Sequence, residues 1–503
     1  MDISDILNNL AKQPAEIVNL IISYLPKPFL TVFLDFKPLV PYIIPILRTK
    51  VRIQECCFDL KEPISFLNFR WYSVSPVFNS IEELVQTIQK FEFIPREIEL
   101  VNLSTPMITK YKLYQSGVLV NHELDPSVSK LMQWAVKYED IFRSVSLIHI
   151  LDGFMNANIE ELVFCIQRGF NIGTIEYLGT IKESIIEMFP PTLESLTLHS
   201  YSFKPTKSFD NFQSLKSIKV ANADLNMFYH LPPSIEEVMV SDLRTSTVHN
   251  PMDQPGVSLV KLRNLTAGIQ VAGEFSSVAK IFPNLESFHI RNSRIDDFDE
   301  LGLSNDIKVL EIDSSPGLVN CLKIERFTQL KQLAMTNMPF RSNIFEKGVN
   351  LSVLTKLSFI QSCDFNRNFK YELDPLKFPE TLKSLGLHGH FYINTWTPPQ
   401  NLQELILRGT YFSNGFTILL PPNLNRLFIV STNLHDLDHI EFPGGLRELD
   451  IRANEWLKSM VDTNLHQLTQ LVRFDISFNP CLTKFDEPDR NLRCKRLYNL
   501  TSV

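Results

Sequence analysis

The sequence lacks most of the features that carry chemistry. Only 17 glycines occur in 503 residues, and none falls in a GxxxxGK[ST] or GxGxxG stretch, so the usual phosphate cradles are excluded. No GxSxG or HExxH occurs either, and no catalytic residue, cofactor or metal is expected. The cysteines, at 56, 57, 165, 321, 363, 481 and 494, are odd in number and never spaced CxxC. That argues against a disulfide framework or a zinc ribbon and for a reducing compartment. Long apolar runs are missing too. Phe29 to Leu47 comes nearest, but it carries Asp35, Lys37 and three prolines and reads as packed helices, with no membrane span. The opening MDISDILNNLAKQ has early Asp2 and Asp5 and no uninterrupted apolar core, so a secretory signal is not expected. Charge is balanced: 49 basic against 56 acidic residues, net charge -7, with no block of one sign. This gives no nucleic-acid footprint, and the cluster Arg493, Lys495, Arg496 reads as a solvated end.

What is present is repetition. LPPNLNRLFIV, from Leu420 to Val430, has relatives all along the chain. Aligned on a first leucine-type residue, they start at Leu193, Leu215, Ile235, Leu285, Ile307, Leu330, Leu354, Leu382, Leu402, Leu424, Leu446 and Leu471. A weaker copy, VSLVKLRNL, fills the gap near Leu259. The mean step is about 23 residues, inside the leucine-rich-repeat range. In L-x-x-L-x-L each repeat is one solenoid turn whose short strand points alternate residues inward, so Leu424, Leu427 and Ile429 face the core. One turn cannot bury those side chains alone, and stacking makes an apolar column behind a parallel sheet. Prolines before the strands, as at Pro421-Pro422, suit extended backbone. Asn454 and Asn479 close two C-terminal repeats as inward residues that satisfy turn backbone. The fold class is therefore α/β, a leucine-rich-repeat solenoid with a parallel β-sheet on its concave face.

Upstream the alternation loosens. Ser80 and Glu83 form a capping-box signature for a helix, followed by a strand at Glu97 to Leu103. A helix over Asn158 to Arg168 lies between strands at Ser144 to Ile150 and Gly173 to Leu178. The expected organisation is a helical motif over 1-53, degenerate helix-bearing repeats over 54-185, regular repeats over 186-480 and a C-terminal cap over 481-503. A separate α/β domain over 54-185 is the alternative. In the first fifty residues, Ile17, Leu20, Ile21, Tyr24 and Leu25 fall on one face of a helix starting at Pro14. A second short helix carries Phe29, Val32, Phe33 and Phe36, and a third, after Pro38, carries Leu39, Ile43, Ile44 and Leu47. So thin a core calls for a partner or an abutting domain.

The run Gln13-Pro14-Ala15-Glu16-Ile17, then Ile21, Tyr24-Leu25-Pro26 and Leu47 to Ile53, resembles the F-box of fungal F-box/leucine-rich-repeat proteins. The resemblance implies a small three-helix F-box-like N-terminal unit that binds Skp1 and so joins a cullin ubiquitin ligase core, while the repeats choose the substrate. By position, Pro14, Glu16, Ile17, Ile21, Leu25 and Pro26 lie at or beside the Skp1 contact. The plainer reading of the same helices is a cap for the solenoid.

Residues between the inward ones face the concave side, the usual docking face. There Ile406, Phe428 and Val430 are expected as neighbours on adjacent strands, flanked by Arg408, Arg426, Asp450 and Arg452. An apolar centre with charged edges suits a protein or peptide. The alternative is that the C-terminal cap or a loop covers it. His388 and His390 offer two ligands without a visible third and read as surface histidines. Two functions remain: a non-catalytic substrate receptor of a ubiquitin ligase, in the cytoplasm or nucleus, and a repeat scaffold unrelated to ubiquitin.

Overall fold

The computed structural model describes residues 3–25, 36–54, 80–101, 135–151, 159–177, 183–203, 211–244, 258–269, 272–315, 321–338, 349–361, 371–461 and 463–483, with isolated residues between. Pro26, Cys56, Cys57, the second expected helix apart from Leu30, Phe33 and Phe36, and the end of the expected cap lie outside them. The chain forms two compact units, Met1–Asn222 with His230–Ile235, and Ala223–Tyr229 with Glu236–Val503.

The first unit opens with helices α1 (Ile3–Ala11), α2 (Ala15–Ser23) and α3 (Val40–Leu47), the last entered through a 3₁₀ turn at Lys37–Leu39. Their core is Val18, Ile22, Leu30, Leu39 and Ile43, with Leu7, Leu10 and Leu25 packed against it. The side of α2 that meets this core is thus not the one expected from its periodicity: Ile17, Leu20, Ile21 and Tyr24 face outward. Strands and helices then alternate: β1 (Lys50–Gln54), β2 (Val77–Phe78), α4 (Ile81–Phe91), β3 (Glu97–Val101), α5 (Glu139–Ser144), β4 (Leu147–Leu151), α6 (Ile159–Gln167), β5 (Ile172–Tyr177), α7 (Glu183–Ile186), β6 (Ser195–Phe203) and β7 (Ser217–Asp224). The Ser80 hydroxyl accepts the Glu83 N–H, which starts α4 as its sequence specified. Parallel pairing runs β2–β1–β3–β4–β5–β6, so β1, which follows the N-terminal helices, is an internal strand of the sheet.

Across the outer face of this sheet runs an ionic row. Arg52 and Glu99 stand opposite each other on β1 and β3, both buried, with an Nη2–Oε2 distance of 2.8 Å. Lys50 reaches the other Glu99 oxygen at 3.0 Å, and His149 lies between Thr174 Oγ1, at 2.8 Å, and Glu97, at 3.3 Å. Burial by itself raises the Glu99 pKa, but the hydrogen bonds and charges of Lys50 and Arg52 bring it below its ordinary 4.5. Burial, aided by Lys50, pushes His149 below 6.5. Both depressions favour the state that has lost its proton. Their stabilisation is present above the ordinary values and is lost as pH falls through the folded ones. Arg52→Met strands Glu99 with only Lys50 and is expected to cost about 3 kcal/mol in urea unfolding, with the penalty shrinking in acid as Glu99 gains a proton. Arg52→Met with Glu99→Leu restores most of the loss; equal loss in single and double variants removes the pair from the account.

The second unit is the regular array: β8 (Glu237–Arg244), β9 (Asn264–Ile269), β10 (Ser287–Arg291), β11 (Val309–Asp313), β12 (Gln332–Thr336), β13 (Lys356–Ile360), β14 (Tyr371–Glu372), β15 (Ser384–His388), β16 (Phe391–Trp396), β17 (Glu404–Arg408), β18 (Tyr411–Ile418), β19 (Arg426–Val430), β20 (Glu448–Asp450) and β21 (Arg473–Asp475). The main sheet is parallel from β8 to β13 and on through β15, β17, β19, β20 and β21. This is a leucine-rich-repeat solenoid. Three rows point inward from each turn, as Leu424, Leu427 and Ile429 do, all buried. The weak copy is anchored at Leu262, three residues later than expected, with Leu265 and Ala267 completing its inward rows.

The prolines before the strands do more than stay extended. The carbonyls of Pro379, Pro399, Pro421 and Pro443 accept the N–H of the first inward leucine three residues on, so each proline opens a turn that delivers that leucine to the core. Phenylalanines outside the strands pack into the core: Phe275 stacks on Phe288, and Phe298 with Phe327 and Phe345 with Phe359 meet edge to face, at centroid distances of 5.5–5.8 Å. A second, three-stranded parallel sheet, β14–β16–β18, forms in the turns around β15 and β17.

Past the strands the chain turns through left-handed residues, Asn292, Ser314, Asn337, Gly389, Gly409, Ser431, Ala453 and Phe478. All but Phe478 donate their N–H groups to the next turn, as Ser314 does to Thr336 and Gly409 to Val430, both at 2.9 Å. At Gly389 a Cβ would stand 2.3 Å from the Gln361 carbonyl oxygen, so only glycine fits. In the last turns Asn454, fully buried, accepts from Thr432 N–H and hydroxyl and donates to the carbonyls of Ile429 and Ile451. Asn454→Ala leaves those groups unpaired and is expected to cost about 2–4 kcal/mol. Hydrogen exchange would detect it as lost protection at the Thr432 amide; unchanged protection there contradicts the assignment.

Candidate functional site

Two surfaces carry the residues singled out in the sequence. On α2, Pro14 is the N-cap and Glu16 lies in the first turn. Ile17, Leu20, Ile21 and Tyr24 are 43%, 54%, 41% and 81% exposed, one apolar helix face turned away from the core. Leu25 belongs instead to the packed side. Leu20 and Tyr24 thus join Ile17 and Ile21 as surface residues, while Leu25, placed on the same apolar face by the periodicity, packs inward.

On the outer face of the second unit's main sheet, register aligns Gly386, Ile406, Phe428, Asp450 and Asp475 in one row. The adjoining row is His388, Arg408 and Val430. Ile406 and Phe428 are half-buried, Val430 is largely covered, and Arg408 and Arg426 are exposed. The expected neighbours do meet, but one member is misplaced: Asp450 is only 2% exposed and does not stand at a charged rim. Its Oδ1 accepts the Arg452 backbone N–H at 3.2 Å, and Arg452 Nε lies 3.1 Å from Oδ2. Burial pushes the Asp450 pKa up, with Asp475 adding to the rise and Arg452 and Arg473 opposing it. Asp475 is spent on the Ser477 N–H and hydroxyl. Short side chains that hydrogen-bond two residues on are turn formers, and that pull inverts the expected exposure.

The remaining charges separate by commitment. Arg426 pairs with Glu404 at 3.1 Å, and Glu404 also accepts the Ser384 hydroxyl at 2.6 Å. Arg408 has no ion pair among the described residues, and together with burial it lowers the pKa of His388. His388 and His390 do not share surroundings. The left-handed turn at Gly389 separates them, and His390 stacks on Tyr411 at 5.4 Å. Among the described residues no group of three His, Cys, Asp or Glu could hold a metal ion.

No family model matches the sequence, and no curated protein does. Similar solved structures include an internalin from Listeria monocytogenes, 14% identical over 61% of this chain and 85% of that one, with TM-score 0.38. A leucine-rich-repeat protein of Leptospira interrogans is 15% identical over 65% and 98%, with TM-score 0.35. The mouse RP105/MD-1 complex is 12% identical over 82% and 67%, with TM-score 0.37. At these values the likenesses carry no argument, and the fold stands on the register of the chain's own strands. That register makes a repeat scaffold suited to protein binding, with its variable side chains gathered on one sheet face.

If that face is a surface and not core, adjacent residues must differ sharply in cost. Leu427→Ala is expected to lose about 2–5 kcal/mol, and Phe428→Ala about 1 kcal/mol or less, despite the larger side chain removed. Denaturant titration of the two variants decides it; similar losses place Phe428 in the interior.

Proposed function

We propose that the chain is a non-catalytic substrate receptor of a Skp1–cullin–F-box ubiquitin ligase, acting in the cytoplasm or nucleus. Its N-terminal helices hold Skp1, and through it the cullin core, while the sheet face of the repeats holds a protein substrate. Holding the two together raises the effective concentration of substrate at the ligase without any chemistry of its own. The observation that supports this most is the outward face of α2. A helix whose core side is already filled by Val18 and Ile22 leaves Ile17, Leu20, Ile21 and Tyr24 in water, and such a contiguous apolar stripe marks a binding surface. The resemblance around Pro14-Ala-Glu16-Ile17 names the partner.

Removing residues 1–53 is a poor test, because β1 is an internal strand of the sheet. Point changes on the outward face are cleaner. The chain should capture purified Skp1, and Ile17→Asp with Ile21→Asp should abolish capture while circular dichroism and the melting curve stay unchanged. Val18→Asp should lose both. Failure of a well-folded chain to capture Skp1 leaves a repeat scaffold unrelated to ubiquitin.

A further inference from the structure

Around Phe428, among the described residues, Asp450, Asp475 and Glu404 are committed and Arg408 is not. Asp450 and Asp475 are buried and bonded to the turns that follow their strands, and Glu404 is held by Arg426 and Ser384. Arg408, by contrast, is exposed at the end of β17 and has no acid within ion-pair reach among the described residues. Its neighbours in the row are Val430 and a half-buried His388, and Ile406 and Phe428 form the apolar shelf beside it. Gly386, in register with Ile406, adds no side chain, and His388 Nε2 and Ser358 Oγ lie 3.4 Å from where its Cβ would stand, so the shelf is bounded there by His388.

From this we propose that the sheet face binds an extended peptide segment carrying an apolar side chain next to a carboxylate side chain. The apolar group lies on Ile406 and Phe428, and the carboxylate pairs with the Arg408 guanidinium. The proposal supplies the substrate chemistry for the receptor reading and rests on it only for the word substrate, since the peptide site itself needs no Skp1. An arginine fork and a carboxylate form two parallel charge-assisted hydrogen bonds, and an adjoining apolar surface excludes the water that weakens them. A lysine-bearing segment would meet the same guanidinium as a like charge, while Glu404, Asp450 and Asp475 are already bonded elsewhere.

The test is selection of a displayed random dodecapeptide library on the full-length chain, with Arg408→Glu and Phe428→Ala chains selected in parallel. The expected result is enrichment of Asp or Glu beside Leu, Ile, Phe or Tyr. Synthetic peptides of that set should bind about ten-fold or more weakly to Arg408→Glu and lose affinity as salt rises. The reversed variant should instead enrich Lys or Arg beside the apolar residue, a switch that a merely structural Arg408 would not give. An unenriched library, enrichment of basic or purely apolar peptides, or acidic peptides retained equally by Arg408→Glu overturns the proposal. Self-association of the chain that competes with the selected peptides would place a second copy on this face and overturns it too. A failed Skp1 capture with a successful selection leaves this site standing, so the two readings fail separately.

Discussion

Each turn of the array leaves its own backbone and its own leucines unsatisfied, and every other feature follows from that. A single L-x-x-L-x-L strand buries nothing by itself, and its N–H and C=O groups have no partner within the turn. The neighbour supplies both. In the second unit the carbonyl at the residue after each first leucine, as at Lys383, Gln403 and Asn425, accepts two N–H groups from the next turn. Past the strand, the left-handed residue donates to the next turn again. Inward positions are fixed by packing and the turn positions by hydrogen bonding, so only the outward positions of the strands remain free to vary.

That division explains where the surface residues gather. Ile406, Phe428 and, in the adjoining row, Arg408 fill positions that neither the apolar column nor the ladder constrains, whereas Asp450 and Asp475 share the row of Ile406 and Phe428 yet are bonded to the turns. A short acid can fold back on the backbone two residues ahead; a long arginine or a phenylalanine cannot.

The inward rows were legible in the sequence because a spacing of about 23 residues repeats them often enough to override local noise. Asn454 and Asn479 were legible because an amide closing the repeat has one job, to bond the turn backbone. The core side of α2 was not. Ile17, Leu20, Ile21 and Tyr24 and the opposing Val18, Ile22 and Leu25 both follow helical spacing, so periodicity cannot choose between two apolar sides. Only the packing of Leu30, Leu39 and Ile43 onto one of them does. The weak copy slipped by three because Leu259, Leu262 and Leu265 repeat every third residue, and Ala267 is too small to mark the inward row. Phe275, Phe298, Phe345 and the second sheet lay between the aligned motifs, where the repeats differ in length and no pattern holds them in register.

The junction of helices and sheet in the first unit adds a constraint on any partner held by α2. Only Arg48 and Thr49 separate α3 from β1, too short a stretch to act as a linker. Thr49 is tied on both sides: its hydroxyl bonds the carbonyls of Pro45 and Ile46 at 3.0 Å, and its own carbonyl accepts the N–H groups of Arg96 and Glu97. The Arg48 guanidinium lies over the rings of Phe78 and Phe91, at 5.4 and 5.6 Å, which joins the same junction to β2 and α4. Helices bound this closely to β1 do not swing on a tether. A partner on the outward face of α2 would therefore meet this unit's sheet in one orientation.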